Sequence, residues 1–357
     1  MKVLLPRWGS NVKPIFIFWM RKKPFEIRME YTSLGKTDLK VSRIGLGTWQ
    51  FSQDWGLTEY QKAKEIINEA IKQGINFFDT AMLYGMGLSE YFLGKALKEL
   101  DVKRDEIVIT TKVLSESLNP QDIYRVVQKS VELLGTKYID LLLPHWPPIW
   151  HNFPTYKYAR ALEKLVKMGL VRYLGVSNFP VELLESFRCS LASTDVEAIQ
   201  IRYNLIERAA EEELIPYAEK NGITVQAWSP IAKGALTGKY TLDNLPKFQD
   251  VRAAEPVFHP DNFSKILPLI EKLKELSQKY DKRPVQIALN WLIMSSPVVV
   301  PIPGAKDAAQ VREFSGAVGW RLDYSDWRLL EEMSSRIQIQ YSIFYPNEEA
   351  ISRAKKM

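Results

Sequence analysis

Residues 75–85 of the chain, Ile-Asn-Phe-Phe-Asp-Thr-Ala-Met-Leu-Tyr-Gly, place an acid and a phenol just beyond a short apolar run. The two adjacent phenylalanines are typical of a strand that is covered on both faces. A carboxylate at Asp79 would be costly in such a strand unless it lay at the rim or had a cationic partner. The stretch therefore predicts a partner for Asp79, and two other predicted strand ends, at Lys112 and His145, offer candidates.

Around this stretch, segments with strand character alternate with segments of helical periodicity. Counting from residue 44, about eight strands alternate with helices, a pattern that predicts an α/β fold, the parallel (β/α)8 TIM barrel. We expect an N-terminal β-hairpin before the barrel, a long loop at residues 236–260 after strand 7, and extra C-terminal helices. The predicted strands are residues 44–49, 77–79, 107–112, 138–143, 171–177, 198–203, 224–228 and 298–301; the predicted helices include 209–221, 308–318 and 323–335.

A doubly wound sheet is the competing architecture. Such a sheet normally has a glycine fingerprint, GxGxxG, between its first strand and its first helix. The corresponding stretch here, Gly-Leu-Gly-Thr-Trp-Gln from residue 45, lacks the third glycine. The barrel is therefore the preferred architecture.

The first 28 residues differ from the rest, since they are basic and aromatic. Their apolar run at residues 14–20 is shorter than the roughly 20 residues that a membrane span needs, and no small-residue cleavage site follows it, as a signal peptide would require. We interpret residues 1–28 as an N-terminal extension, either disordered or the result of a start codon placed too early, with the chain opening at Met29. Residues 29–357 contain no interior linker and form one predicted domain.

Composition argues against several classes of protein. Apolar residues make up 46% of the chain and charged residues 25%, as in a soluble globular protein. The net charge of +6 is modest for 357 residues, so we expect neither a nucleic-acid partner nor a membrane. The single cysteine, Cys189, excludes an intrachain disulfide and fits the cytoplasm, and no His/Cys cluster indicates a metal. A monomer or weak homo-oligomer is the default expectation.

Four side chains near predicted strand ends suggest one chemical function. Catalytic groups of a (β/α)8 barrel gather at the carboxyl ends of its strands, where Asp79, Tyr84, Lys112 and His145 fall. A tyrosine with a pKa of about 10 is a poor acid near neutrality, but a neighbouring ammonium stabilises its phenolate. Such a phenol can give its proton to a developing alkoxide while a neutral imidazole hydrogen-bonds the same oxygen. This is the acid half of carbonyl reduction, and the missing hydride implies a nicotinamide cofactor.

Six short stretches, in order along the predicted strands, match one known family: residues 45–49 (GLGTW), 78–85 (FDTAMLYG), 110–112 (TTK), 175–179 (GVSNF), 228–230 (WSP) and 302–306 (IPGAK). From about residue 29 to residue 336 the chain resembles the aldo-keto reductase superfamily. The segment from residue 228 to residue 240 is most similar to bacterial reductases and to the potassium-channel beta subunits of that superfamily. Those subunits can lack the catalytic histidine, which is present here as His145.

The resemblance implies roles for the residues near the strand ends. Tyr84 is the general acid and Lys112 lowers its pKa. Asp79 pairs with Lys112, and His145 orients the substrate. The carbonyl pocket is then lined by Trp49, Trp55, Tyr84, His145 and Trp146.

The resemblance also implies a set of cofactor contacts. Ser177, Asn178 and Gln200 match positions that hydrogen-bond the nicotinamide carboxamide, and Trp228 matches a ring that stacks on the nicotinamide. The full set expected to bind the cofactor is Gly47, Thr48, Trp49, Asp79, Ser177, Asn178, Gln200, Trp228, Ser229, Ile231, Lys239, Arg252, Gly304, Lys306, Gln310 and Glu313.

Two departures from the family pattern concern the adenosine end of that cofactor. Phe314 stands where the family often has an asparagine facing adenine, and Asp307 places a carboxylate where it would repel a 2′-phosphate. Lys306 and Arg252 offset that repulsion, since arginine suits bidentate phosphate contact. We therefore expect NADPH, with NADH less favoured.

The predicted function is an NADPH-dependent oxidoreductase that reduces an aldehyde or a ketone, its small-molecule partner, to an alcohol. The alternative is a nicotinamide-binding regulatory or redox-sensing subunit with vestigial turnover. The presence of all four strand-end residues favours the first.

Overall fold

The computed structural model describes residues 29–148 and 153–341. The predicted extension at residues 1–28 lies outside the described residues. The described chain opens with the predicted hairpin, in which β1 (Tyr31–Ser33) pairs antiparallel with β2 (Lys40–Ser42). Leu34 in its turn is fully buried and packs in the apolar cluster that fills the inside of the barrel, so the hairpin covers one end of the barrel.

Eight parallel strands follow and form one sheet in chain order, which confirms the predicted (β/α)8 barrel. The first and last strands close the sheet, because the Gly45 N–H donates to the Pro301 carbonyl and the Gly47 N–H to the Pro303 carbonyl, each at 3.0 Å. A Cβ at Gly47 would lie 2.9 Å from the Ile302 carbonyl oxygen, so the close approach needs glycine. The strands are β3 (Leu46–Gly47), β4 (Phe77–Asp79), β5 (Val108–Val113), β6 (Ile139–Pro144), β7 (Val171–Ser177), β8 (Val196–Arg202), β9 (Thr224–Trp228) and β10 (Val299–Pro301).

The helices cover the outside of the barrel. The third helix begins where Asn119 accepts hydrogen bonds from two backbone N–H groups, with a proline at its first position, and ends at Gly135 in the left-handed region. The α-helices are α1 (Tyr60–Lys72), α2 (Leu88–Glu99), α3 (Pro120–Leu134), α4 (Thr155–Lys167), α5 (Val181–Ser190), α6 (Leu214–Asn221), α7 (Pro260–Tyr280), α8 (Pro284–Ser295), α9 (Ala308–Ser315) and α10 (Tyr324–Ser335).

Two helices differ from their prediction. The predicted helix at residues 209–221 is divided into a short 3-10 helix, Ala209–Glu211, and α6. Pro216 explains the division, because it has no N–H to donate to Glu212 and is tolerated only in the first turn of a helix. The α9 helix ends before Gly316, a weak helix former, instead of at residue 318.

The segment after β9 also differs from a featureless loop. It contains three short 3-10 helices, Ala232–Thr237, Val251–Ala254 and Pro256–Phe258. Phe258 is buried and packs against Phe248 and Phe263. The long segment is therefore packed into the main apolar core of the molecule.

A buried ion cluster stabilises the end of the barrel where the strands begin. Asp140 is fully buried and accepts hydrogen bonds from Arg104 at 2.6 Å, from the Ile109 N–H at 2.9 Å and from Arg172 at 3.3 Å. Arg172 also contacts Asp38 of the hairpin turn at 3.1 Å. Residues at the amino ends of barrel strands contribute to stability, whereas catalytic residues lie at the carboxyl ends.

None of the described helices has the length and apolar character needed to cross a membrane.

Candidate active site

The carboxyl ends of two neighbouring strands bring Asp79, Lys112 and Tyr84 together. Asp79 is the last residue of β4, Lys112 lies near the end of β5, and Tyr84 follows β4 in the loop before α2. The Lys112 Nζ lies 2.9 Å from each carboxylate oxygen of Asp79, 2.9 Å from the Thr80 carbonyl oxygen and 3.1 Å from the Tyr84 hydroxyl. The predicted partner of Asp79 is therefore Lys112.

Asp79 and Lys112 form a buried ion pair, since the two residues are 3% and 1% exposed. Burial raises the pKa of Asp79 and lowers the pKa of Lys112, and the attraction between the two charges opposes both shifts. A hydrogen bond from Gln200 at 2.7 Å adds a further donor to the carboxylate.

The net pKa of Tyr84 differs from the prediction. Burial, followed by the charge of Asp79, raises the pKa of Tyr84 well above its usual value, where a net lowering was expected. Lys112 faces the phenol oxygen and favours its phenolate, but burial and Asp79 outweigh that contribution. Tyr84 is a protonated phenol whose oxygen accepts from the ammonium, which leaves its own O–H free to donate elsewhere.

His145 lies just beyond β6, with its ring 5.7 Å from the Tyr84 ring at an interplanar angle of 79°. Burial and the charge of Lys112 hold the pKa of His145 well below its usual range, so the imidazole is neutral near pH 7. Its Nδ1 is buried and has no hydrogen-bond partner among the described residues. A buried N–H without an acceptor is unfavourable. The geometry therefore favours the tautomer with the proton on Nε2, a donor.

These side chains lie at one end of a cavity of about 460 Å³ at the carboxyl ends of the strands. The cavity continues from Trp146, beside His145, to Phe314 on α9. Most of the predicted site residues line it: Gly47, Trp49, Trp55, Asp79, Tyr84, His145, Trp146, Asn178, Gln200, Trp228, Ser229, Ile231, Lys239, Arg252, Gly304, Lys306, Gln310 and Glu313.

Three of the predicted residues do not line the cavity. Lys112 is enclosed behind Asp79 and Tyr84. Thr48 is fully buried and its hydroxyl donates to the Asp79 carbonyl oxygen at 2.9 Å, while the buried Ser177 hydroxyl accepts from Asn178 at 3.0 Å. Each of the three instead bonds to a residue that does line the cavity: Asp79, Tyr84 or Asn178.

The residues predicted to bind a carboxamide already bond to one another. Asn178 donates to the His145 carbonyl oxygen at 3.1 Å and accepts from the Trp228 indole N–H at 3.0 Å. Gln200 uses its Nε2 for Asp79 and for Gln226 Oε1, at 2.7 and 2.8 Å. Its carbonyl oxygen is therefore the group left for a ligand.

Sequence reasoning missed a charged cluster on the cavity wall. Arg202, at the end of β8, pairs with Glu207 and with Glu255 of the long segment, and Lys233 also pairs with Glu255. The Lys233 Nζ lies 5.0 Å from the centre of the Trp49 ring. Arg202 could have indicated this cluster from the sequence. It pairs with Trp228 in the strand register, and a charged residue at the carboxyl end of a barrel strand is expected at the opening of the cavity.

At the far end of the cavity, Asp250 joins two cations. It lies 2.6 Å from Arg252 and 3.0 Å from Lys306, so the long segment is linked to the loop after β10. Asp307 accepts from the Gln310 N–H at 2.8 Å and begins α9. Its carboxylate is thereby held at a helix N-terminus, where negative charge is favourable.

The chemistry of this cavity fits an extended nicotinamide dinucleotide. The Ser229 hydroxyl and the Trp55 indole nitrogen are buried, lie in residues that line the cavity, and have no partner among the described residues. Buried polar groups are normally hydrogen-bonded, so these two are available to a ligand. Lys239, Arg252 and Lys306 add positive charge along the same wall, as a pyrophosphate requires.

Comparison with known proteins gives a consistent result. The profile described as the Aldo/keto reductase family matches residues 43–335. Aldo-keto reductase YhdN of Bacillus subtilis is 36% identical over 84% of this chain and 91% of its own length, and the NADH-specific methylglyoxal reductase of Escherichia coli is 32% identical over 87% and 100%. The glycerol dehydrogenase AKR11B4 of Gluconobacter oxydans superposes with a TM-score of 0.77 at 31% identity, covering 86% of this chain and 95% of that one.

Proposed function

The chain belongs to the aldo/keto reductase family, and on this premise we propose that it is an NADPH-dependent enzyme that reduces an aldehyde or a ketone to an alcohol, with Tyr84 as the general acid. The observation that supports the proposal is the contact of Lys112 with both Asp79 and the Tyr84 hydroxyl at the wall of the cavity. Small carbonyl compounds are the expected substrates, and the cytoplasm is the expected compartment.

Tyr84 and His145 act on the same oxygen in this proposal. The Tyr84 oxygen accepts from Lys112, so its O–H is directed to another acceptor, and the neutral His145 offers a second donor. Two donors at a carbonyl oxygen stabilise the negative charge that develops when the carbonyl carbon is reduced. When bound, the reduced nicotinamide supplies the hydride, which no side chain can supply.

Lys112 and Asp79, on the enclosed side of Tyr84, stabilise the charge that the proton transfer leaves on the phenol. Once Tyr84 has given its proton to the alkoxide, the phenolate faces an ammonium 3.1 Å away. Asp79 holds that ammonium with both carboxylate oxygens, so it is positioned before the reaction begins. The charge of the phenolate is therefore met by a fixed cation, which needs no rearrangement.

The preference for NADPH rests on the cations at the far end of the cavity. Lys306 and Arg252 are held by Asp250, and Asp307 is engaged as the cap of α9. Titration of the protein with each reduced cofactor, followed by quenching of tryptophan fluorescence, tests the preference. We expect tighter binding of NADPH; tighter binding of NADH, the cofactor named for the Escherichia coli relative, would reverse it.

The proposed acid is tested by Tyr84→Phe, with Tyr158→Phe as a matched control. Tyr158 is also buried, and among the described residues its hydroxyl donates only to Thr155, at 3.5 Å. We expect Tyr84→Phe to lower kcat for a panel of small aldehydes by about 100-fold or more, the usual contribution of a general acid, while cofactor affinity stays near wild type. Wild-type kcat in Tyr84→Phe would reject Tyr84 as the acid.

The same aldehyde panel addresses the regulatory alternative. A regulatory subunit with vestigial turnover would bind the dinucleotide tightly in the titration and yet oxidise none of it with any aldehyde or ketone. We expect both binding and turnover.

A further inference from the structure

Gln226 is a polar side chain in an otherwise apolar part of the barrel interior. It lies on β9, is fully buried, and has Phe77, Leu141 and Val300 among the residues that fill the same interior. A buried amide is unfavourable unless its oxygen and nitrogen both find partners. The Gln226 Oε1 accepts from Gln200 Nε2 at 2.8 Å, and its Nε2 lies 3.4 Å from the Thr110 hydroxyl.

The bonds of Gln200 fix which way its amide points. An ionised carboxylate only accepts hydrogen bonds, so the group of Gln200 that contacts Asp79 at 2.7 Å is its nitrogen. The second hydrogen of that nitrogen is directed to Gln226. Both hydrogens are then used inside the barrel, and the Gln200 carbonyl oxygen remains for the cavity that this residue lines.

Gln226 and Thr110 belong to strands on opposite sides of the barrel, as do Gln200 and Asp79. In chain order β4 and β5 are the second and third strands of the closed sheet, and β8 and β9 are the sixth and seventh. The two glutamines therefore cross the interior to reach the Asp79 side. Without Gln226, one hydrogen of the Gln200 amide would have no acceptor, and an unsatisfied buried donor is unfavourable.

We propose that Gln226 is a positioning residue: by accepting the second N–H of Gln200, it holds the Gln200 amide with its nitrogen on Asp79 and its carbonyl oxygen toward the carboxamide of a bound nicotinamide. The inference rests on the proposed function, because it assigns a nicotinamide to this part of the cavity. Gln226 itself is fully buried and does not line the cavity. Its effect is exerted through Gln200.

Discrimination between two dinucleotides tests the proposal without turnover. The probes are oxidised NADP and its acetylpyridine analogue, in which a methyl group replaces the NH2 of the carboxamide and so removes the donor to Gln200. A net hydrogen bond of about 1 kcal/mol corresponds to roughly fivefold. We expect wild-type protein to bind NADP about fivefold more tightly than the analogue, measured by tryptophan fluorescence. In Gln226→Met, which has no amide, the ratio is expected to fall to about twofold or less.

Two further variants separate positioning from packing. Gln226→Glu keeps an oxygen that accepts from Gln200, so the ratio is expected to return to the wild-type value. Val108→Ala removes apolar volume from the same interior and no hydrogen bond, so its ratio should stay at the wild-type value even if its thermal stability falls. If Gln226→Met does not fold, Gln226→Asn, which withdraws the amide by one methylene group, is expected to show the same fall.

The outcomes of the inference and of the proposed function are distinct. If wild-type protein discriminates and Gln226→Met, or Gln226→Asn in its place, keeps the full ratio, the positioning role is overturned while the reductase proposal stands. If wild-type protein binds both probes equally, Gln200 makes no bond to the carboxamide and the inference also fails. If wild-type protein binds neither probe nor NADH, the proposed function fails with it.

Discussion

Replacement of Lys112 by methionine tests whether Asp79 is held as a buried ion. Methionine keeps most of the volume of lysine and removes the charge that contacts both oxygens of Asp79. Asp79 is 3% exposed, so water can replace the ammonium only in small part. Removing one member of a buried ion pair costs about 3–5 kcal/mol. Because Gln200 keeps one hydrogen bond to the carboxylate, we expect about 3 kcal/mol at pH 8.

The size of the loss depends on pH, and the sign follows from the Asp79 carboxyl. In the variant, burial acts without the opposing charge, so the pKa of Asp79 in the folded state lies further above its value in the unfolded chain, about 3.9. The folded state then holds a proton that the unfolded chain releases. Folded stability therefore falls as the pH rises from about 4 toward the folded pKa, by up to about 1.4 kcal/mol per pH unit. The variant should be nearest to wild type at pH 5.

Urea unfolding at pH 5, 6.5 and 8, followed by tryptophan fluorescence, measures the difference in unfolding free energy from wild type. The matched control is the double variant Lys112→Met/Asp79→Asn, in which no ionisable group remains at the pair. We expect its difference from wild type to vary less with pH than that of Lys112→Met. A difference below about 1 kcal/mol at pH 8, or one that is equal at all three pH values, would refute the reasoning.

The remaining predictions concern His145, Asp140 and Glu163. Because burial and Lys112 hold the pKa of His145 well below its usual range, a pH profile of kcat/KM for carbonyl reduction should show no inflection from His145 between about pH 6 and 8. Asp140→Asn removes a buried carboxylate from two arginines at the other end of the barrel, so we expect a loss of about 3 kcal/mol in urea unfolding with kcat unchanged. Burial favours the neutral form of Glu163, but hydrogen bonds from backbone N–H groups outweigh burial and lower the pKa of Glu163 to about 2. Glu163→Gln should therefore lose about 2 kcal/mol at pH 7, a difference that shrinks as the pH falls from about 4.5 toward 2 in acid unfolding.

Much of the fold was predictable because it depends on local patterns. Apolar strands alternate with amphipathic helices, and this order alone specifies a parallel sheet whose carboxyl ends face one way. Because the carboxyl ends of all the strands lie at the same end of the sheet, residues at the ends of adjacent strands are neighbours. Asp79 and Lys112 meet for this reason, although 33 positions separate them in the chain.

Other parts of the site were not predictable, because they depend on backbone conformations that sequence patterns do not indicate. Ala232 and Lys233 have φ values of 48° and 52°, in the left-handed region that residues other than glycine rarely adopt. That conformation brings Lys233 to Glu255 and over Trp49. The contact of Gln200 with Gln226 was missed for a different reason, since an isolated glutamine in a strand gives no sign of its partner across the barrel.

Burial raises the pKa of Tyr84, and this direction bears on the proton transfer of the proposed reaction. A phenol with such a pKa would not protonate water, but in the proposed reaction its partner is an alkoxide, which is about as basic as hydroxide; water has a pKa of about 15.7. An acceptor this basic allows the phenol to stay protonated in the resting site and still act as the acid in the proposed reaction. Lys112 contributes after the transfer, because the phenolate adds a negative charge to a pair that was neutral. Alcohol oxidation begins from that phenolate, so it should need a higher pH than carbonyl reduction.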